Sequence, residues 1–166
     1  MKRVLVLSDS HSTMFFMRSC VRAVKPDAII HLGDYYDDGE ALSEEFPDTR
    51  FYQVPGNCDR YRAPLHAQEI LIMPVLGAEL YMTHGHRHNV KFTTVSLIQD
   101  ARKAKVQAVL YGHTHVAECY QEADGLWVMN PGSAGSYGGS AGLITVENGK
   151  IQHCRLIRQE DLEEWV

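Results

Sequence analysis

Short apolar runs punctuate this chain, and most of them end in a turn that carries aspartate, asparagine or histidine. Residues 2–7 read as a first buried strand, closed by the polar loop Ser8-Asp9-Ser10-His11. Met14, Met17, Val21 and Val24 then recur three to four positions apart. That spacing builds one face of a helix, so a helix is expected up to Val24, capped by Ser12 or Thr13. Pro26-Asp27 breaks it, and residues 28–32 form a second buried strand ending at Gly33-Asp34. Strand, helix, strand with short breaks predicts a parallel pair. A helix over 37–46, stopped by Pro47, leads to a strand over 50–54 that ends in Pro55-Gly56-Asn57-Cys58-Asp59. After a loop at 60–66, residues 68–73 and 79–84 read as strands joined by a turn at 74–77. The second ends in Thr83-His84-Gly85-His86. A helix over 93–105, with Val95, Ile98 and Arg102 along one side, precedes a strand over 106–111 and the turn Gly112-His113-Thr114-His115.

The last third changes pattern. Residues 116–121 and 126–129 flank Asp124-Gly125, and 143–147 and 151–156 flank Asn148-Gly149. Both dipeptides are two-residue hairpin signals. Between them lie Asn130-Pro131-Gly132-Ser133 and a Gly/Ser-rich loop to Gly142. The segment 159–166 is acidic and reads as a solvated end onto which Trp165 can dock. βα units followed by hairpins predict an α/β fold with mixed rather than purely parallel strands.

Composition narrows the class. A chain of 166 residues is most simply one domain, 1–166. No apolar run approaches the roughly 20 residues of a membrane-spanning helix, and the N-terminal run is too short for a signal-peptide core. A cytoplasmic location is expected. The net charge of -5 argues against an extended nucleic-acid surface and leaves a small phosphorylated substrate open. Cys20, Cys58, Cys119 and Cys154 form no Cys-x-x-Cys pair, so free thiols are expected.

The strand ends carry the chemistry. They deliver Asp9 and His11, Asp34, Asn57, His84, and finally His113 and His115. In α/β sheets, sites form outside the carboxyl ends of strands. Mixed imidazole, carboxylate and amide donors suit manganese, iron or zinc better than calcium. Seven donors are too many for one tetrahedral zinc and suit two metals, as in phosphatases and nucleases. Each residue also has a plainer reading: Asp9 as a cap, His11 as a loop histidine, Gly33-Asp34 as a turn. His31 is expected to pack below the site. His66, His88 and His153 are expected on the surface or in loops. Asp37 and Asp38 are expected at a solvated helix start.

The ordered set Asp9-x-His11, Gly33-Asp34, Gly56-Asn57-Cys58-Asp59, His84-Gly85-His86 and Gly112-His113-x-His115 resembles the calcineurin-like metallophosphoesterase superfamily. The Asn-Cys-Asp form and Asn130-Pro131-Gly132-Ser133 resemble its small bacterial and archaeal phosphodiesterase branch. The resemblance implies two mixed β-sheets packed as a sandwich and flanked by helices. It implies two divalent ions, manganese foremost, with nickel, iron, cobalt or zinc as substitutes. One ion would be held by Asp9, His11, Asp34 and His115, the other by Asp34, Asn57, His84 and His113, with Asp34 bridging. The implied activity is hydrolysis of phosphodiesters, or of monoesters, by a hydroxide held between the ions.

Many members carry histidine as a general acid where this chain has Cys58. A thiol, with an ordinary pKa near ~8.5, is a poorer proton donor at neutral pH. Asn57, Cys58 and His86 are the candidates for work on the phosphate and the leaving group. The alternative reading is a protein-binding scaffold resembling the superfamily's retromer subunit. A binuclear amidase is a third reading that fits Asn57 and the Gly-His-x-His order less well. The resemblance is also consistent with a dimer or tetramer.

Overall fold

A computed structural model describes residues 1–135 and 138–165. Ser136 and Tyr137, within the Gly/Ser-rich loop, and Val166, at the end of the acidic segment, lie outside the described residues. The first five-stranded sheet contains β1 (Lys2–Leu7), β2 (Ala28–His31), β3 (Arg50–Gln53), β9 (Ser140–Glu147) and β10 (Lys150–Arg158), in the order β10-β9-β1-β2-β3. β1, β2 and β3 are parallel, while β9 runs antiparallel to β1 and β10. The second contains β4 (Ile70–Val75), β5 (Ala78–Thr83), β6 (Ala108–Leu110), β7 (Glu118–Gln121) and β8 (Trp127–Asn130), in the order β4-β5-β6-β8-β7. Its three inner strands are parallel and its two edges antiparallel.

Alternation along the strands stacks the layers. Val4, Val6, Ala28 and Ile30 of the first sheet share one buried cluster with Leu80, Met82, Ala108, Leu110 and Met129 of the second. The intervening Leu5, Leu7 and Ile29 turn the other way. They pack on Met17, Cys20, Val21 and Val24 of α1 (Phe15–Val24) and on Leu42 of α2 (Tyr36–Glu45). Tyr81, Val109 and Val128 meet Leu97, Ile98 and Ala101 of α3 (Val95–Lys103) on the outside of the second sheet. With both faces of β1 and β2 covered, their sequences are continuous apolar runs rather than alternating ones. Each large side chain so buried contributes roughly 1.5–3 kcal/mol. None of the described helices is long and apolar enough to cross a membrane.

Several expected boundaries move. α1 starts at Phe15 and neither Ser12 nor Thr13 caps it. Ser12 lies in the left-handed region (φ 68°) and gives its N–H to Asp38 instead, at 2.7 Å. Pro74 belongs to β4 rather than to a turn, which a strand at the sheet edge tolerates because one side needs no N–H. The turn is Leu76-Gly77. Asn148-Gly149 makes the expected two-residue turn, both residues at positive φ, between Glu147 and its partner Lys150. Asp124-Gly125 does not. Gln121 pairs with Trp127, so five residues separate the strands, closed by Glu122 N–H on Leu126 O at 2.8 Å. The acidic segment forms a short helix, α4 (Gln159–Glu163), with Leu162 buried and Trp165 packed on the α1 layer.

Candidate metal centre

The carboxyl ends of β1, β2, β5 and β6 stay in register past the strands themselves. Asp9 N–H donates to Gly33 O at 2.9 Å and Ser10 N–H to Asp34 O at 3.0 Å. Gly112 N–H donates to His84 O at 2.9 Å. The turns that follow are therefore laid side by side, and their side chains converge.

Asp9 is fully buried. Its Oδ2 accepts Ser8 Oγ–H at 2.5 Å and His113 N–H at 3.1 Å. Its Oδ1 has no hydrogen-bond partner. Three imidazole Nε2 atoms face that oxygen: His115 at 3.1 Å, His11 at 3.8 Å and His84 at 3.9 Å. His11 Nε2 and His115 Nε2 are 3.3 Å apart. An unpartnered buried carboxylate oxygen is costly, and facing imidazole nitrogens repay it best by sharing a cation.

A second convergence lies next to it. His84 Nδ1 bonds Leu32 O at 2.8 Å, which turns Nε2 toward Asn57 Oδ1 at 3.0 Å, His113 Nδ1 at 3.2 Å and Asp34 Oδ2 at 3.4 Å. A backbone acceptor on the far nitrogen is the usual way a ligating imidazole is aimed. Burial disfavours charge on His84, yet Asp34 and Asp9 raise its pKa overall. Burial likewise opposes ionisation of Asp34, but His84 and the Cys58 N–H bring its pKa down. The carboxylates thus favour positive charge at this point. His113 moves oppositely, to about 4, through burial and then His84 and Lys91. It stays neutral and keeps its lone pair.

By distance the donors sort into two groups, Asp9–His11–His115 and Asp9–Asp34–His84, each with ligand atoms within 4.8 Å of one another. Asp9 enters both, whereas Asp34 enters only the second. Asn57 and His113 stand against His84 in that second group. The seven predicted ligands are thus brought together, and their donor chemistry fits divalent cations. His113 and His115, at positive φ of 71° and 62°, reach different partners, His84 and Asp9 respectively. Gly112 is required for a different reason than free turning. A β-carbon there would collide with Ser8 Oγ and lie 2.8 Å from Asp9 Oδ2.

Cys58 and His86 sit at the rim. Cys58 is exposed, and its N–H donates to Asp34 Oδ1 at 2.9 Å. Burial and the neighbouring Asp34 carboxylate push its thiol above the ordinary range. His86 lies 6.3 Å from His113, ring centre to ring centre, with Nε2 3.6 Å from Glu69 Oε1 and a buried, unpartnered Nδ1. Burial, with His84 next, lowers its pKa.

Residues outside the predicted ligand set also shape the site. Asp59 is buried and accepts three backbone N–H groups: Gly56 at 2.7 Å, Asp34 at 2.8 Å and Tyr36 at 2.8 Å. It ties the Asn57 turn to the Asp34 turn. Asp38, expected at a solvated helix start, is buried instead. Its Oδ2 accepts Ser10 Oγ–H and Ser12 N–H, each at 2.7 Å, and so clamps the loop that carries His11. His31 packs below, bonded to Ser10 Oγ at 3.0 Å. Asn130 donates to Gly112 O at 3.2 Å and Thr114 Oγ1 at 2.9 Å, holding the His113–His115 fork. Ser133 Oγ–H donates to Asp9 O at 2.8 Å. Acidic side chains that serve backbone N–H groups of distant turns have no local signature. Only the position of Asp59 in Gly56-Asn57-Cys58-Asp59 pointed to it.

Comparisons with known proteins converge on one family. The calcineurin-like phosphoesterase superfamily domain matches residues 1–149. A probable metallophosphoesterase of Mycoplasma pneumoniae is 31% identical over 137 residues, which is 80% of this chain and 79% of that protein. The fold is similar to that of a conserved, uncharacterised Streptococcus pneumoniae TIGR4 protein described as a predicted phosphoesterase, with a TM-score of 0.72 and 21% identity over 95% of this chain and 98% of that one. It is also similar to Vps29 of Entamoeba histolytica in complex with zinc, with a TM-score of 0.69 and 19% identity over 94% of this chain and 98% of that one.

Proposed function

Because the chain belongs to the calcineurin-like phosphoesterase superfamily, we propose that it hydrolyses phosphodiesters at a centre of two divalent ions. The observation that carries this reading is the buried, unpartnered Oδ1 of Asp9 facing three imidazoles. On the superfamily's pattern Asp9, His11, Asp34 and His115 would hold one ion, and Asp34, Asn57, His84 and His113 the other, with Asp34 bridging, although by distance the residue common to both groups is Asp9. Manganese is the proposed ion, and nickel, iron, cobalt and zinc suit the same donors. Such ions, when bound, acidify water and neutralise phosphoryl oxygens.

The protein's own residues do the positioning. Leu32 O aims His84. Asp59 fixes the Asn57 turn, and the amide so held would serve the phosphoryl group as well as an ion. Cys58 places a thiol of raised pKa where relatives of the superfamily carry a histidine. It stays protonated at neutral pH but gives its proton up reluctantly. The proposed substrates are therefore small diesters whose leaving alcohols need little protonation.

The test is hydrolysis of bis(p-nitrophenyl) phosphate, alongside p-nitrophenyl phosphate, by metal-analysed protein. Turnover should appear with manganese, disappear on chelation and favour the diester. A protein that binds neither manganese nor any of the other ions and turns over neither ester would be the scaffold instead.

A further inference from the structure

We propose that the cleft beside Asn57 is a subsite for one organic arm of the diester, a flat group of nucleoside size, and that the loop at residues 60–67 sets this preference. The proposal rests on the phosphodiesterase reading above. The cleft, of about 510 Å³, adjoins the metal centre, with the candidate ligand Asn57 and the rim residue His86 in its lining. Clefts of ~300–1,000 Å³ are the ordinary size for binding small organic molecules. A phosphoryl group held by Asn57 would direct one of its two ester arms into this space.

The lining mixes two kinds of chemistry. Ala63, Pro64 and Leu65 supply apolar surface. Leu65 is fully exposed, so its apolar surface is open to a ligand. Arg60, Glu69 and Arg87 supply charged, hydrogen-bonding groups. Arg87 Nε donates to Glu69 Oε2 at 2.7 Å. The pair consumes only part of their capacity: a carboxylate accepts about four hydrogen bonds and a guanidinium donates five. Apolar surface and hydrogen-bonding groups in one cleft suit a planar ring with polar substituents on its rim. A methyl or ethyl arm would use neither.

The loop is also held in place beside the centre. Arg62 N–H and Ala63 N–H both donate to Asp59 O at 3.0 Å. The Arg62 guanidinium lies 3.7 Å from the centre of the Tyr35 ring, next to Asp34. Asp59, which fixes Asn57, thus fixes the apolar surface as well. Phosphate position and arm position are set by one residue.

The experiment compares thymidine 5′-(p-nitrophenyl phosphate) with methyl p-nitrophenyl phosphate, which share a leaving group, on the manganese-loaded full chain. The expected kcat/KM ratio favours the nucleosidyl ester by about tenfold or more, within what pocket contacts supply. Ala63→Trp, which fills the cleft, and Leu65→Asp, which removes apolar surface from it, should each bring the ratio close to one, chiefly through KM. Both positions lie on a surface loop, so the variants keep the core intact. Equal wild-type rates for the two esters, or a ratio that neither variant moves, would overturn the subsite and leave the phosphodiesterase reading standing. If no diester is turned over with any divalent ion, that reading fails and the cleft is judged by calorimetry with thymidine 5′-monophosphate. Binding that Ala63→Trp weakens then supports the subsite, and no binding, or binding that Ala63→Trp leaves unchanged, overturns it.

Discussion

The two ligand groups of the centre lie side by side and are built differently. In the group around His84 the imidazole is fully buried, aimed by Leu32 O and flanked by Asn57, His113 and Asp34 within 3.4 Å. In the group around His115 the side chains of His11 and His115 remain 33% and 44% exposed. Among the described residues neither of those rings bonds to backbone. Their loops are ordered instead by Asp38, which accepts Ser10 Oγ–H and Ser12 N–H, and by Asn130, which donates to Gly112 O and Thr114 Oγ1. A preset donor loses little entropy on binding and an exposed one loses more. If the two-ion reading holds, the difference predicts that the ion of the buried group is held tightly and that of the exposed group exchanges easily.

The strongest way to break this comparison is the fork. His113→Ala should empty the buried group and His115→Ala the exposed one, one ion each by elemental analysis. The double variant should lose both ions and all turnover. A double variant that keeps one ion would mean that both histidines serve the same ion. Next is Asp34→Asn, expected to lower kcat/KM by about 10²–10³-fold, or about 3–4 kcal/mol, with loss of metal. If it retains both ions, the bridging role passes to Asp9, the residue common to both groups.

Stability separates the two groups further. Asp59→Ala strands three backbone N–H groups in the buried half and should cost about 2–4 kcal/mol. Asp38→Ala releases one N–H and one hydroxyl in the exposed half and should cost about 1–2 kcal/mol. Urea midpoints of the metal-free proteins would order them, and the reverse order would mean that the exposed half is the more rigid. The smallest effect is expected from Cys58→Ser. With p-nitrophenolate leaving, no proton donor is needed, and kcat/KM should change by less than about threefold. A larger loss would give the thiol a direct part in the reaction.

The strands and the metal-capable residues at their ends were legible because both depend on short-range pattern, while the sorting of those residues onto ions came only with the family resemblance. Val4–Leu7 and Ala28–Ile30 are continuous apolar runs since both faces are covered, and each run ends at a donor. What escaped depended on partners far along the chain. Ser12 looks like a helix cap until Asp38, 26 residues away, takes its N–H. Pro74 looks like a turn residue until β4 proves to be an edge. Asp124-Gly125 looks like a tight hairpin until the pairing of Gln121 with Trp127 widens the loop. Gly112 shows nothing locally of its constraint, which is the closeness of Ser8 and Asp9. Asp59 closes the Gly56-Asn57-Cys58-Asp59 turn, but its three N–H partners sit on two different turns.

The unpartnered Oδ1 of Asp9 reaches beyond catalysis. A carboxylate buried that deeply weighs against the folded chain, and a bound cation removes the weight. Folding and metal uptake are then linked equilibria. An ion at a hundred times its dissociation constant adds about 2.7 kcal/mol, several degrees of melting temperature for a chain of this size. Metal supply would thus set how much of the protein survives in the cell as well as how fast each copy works.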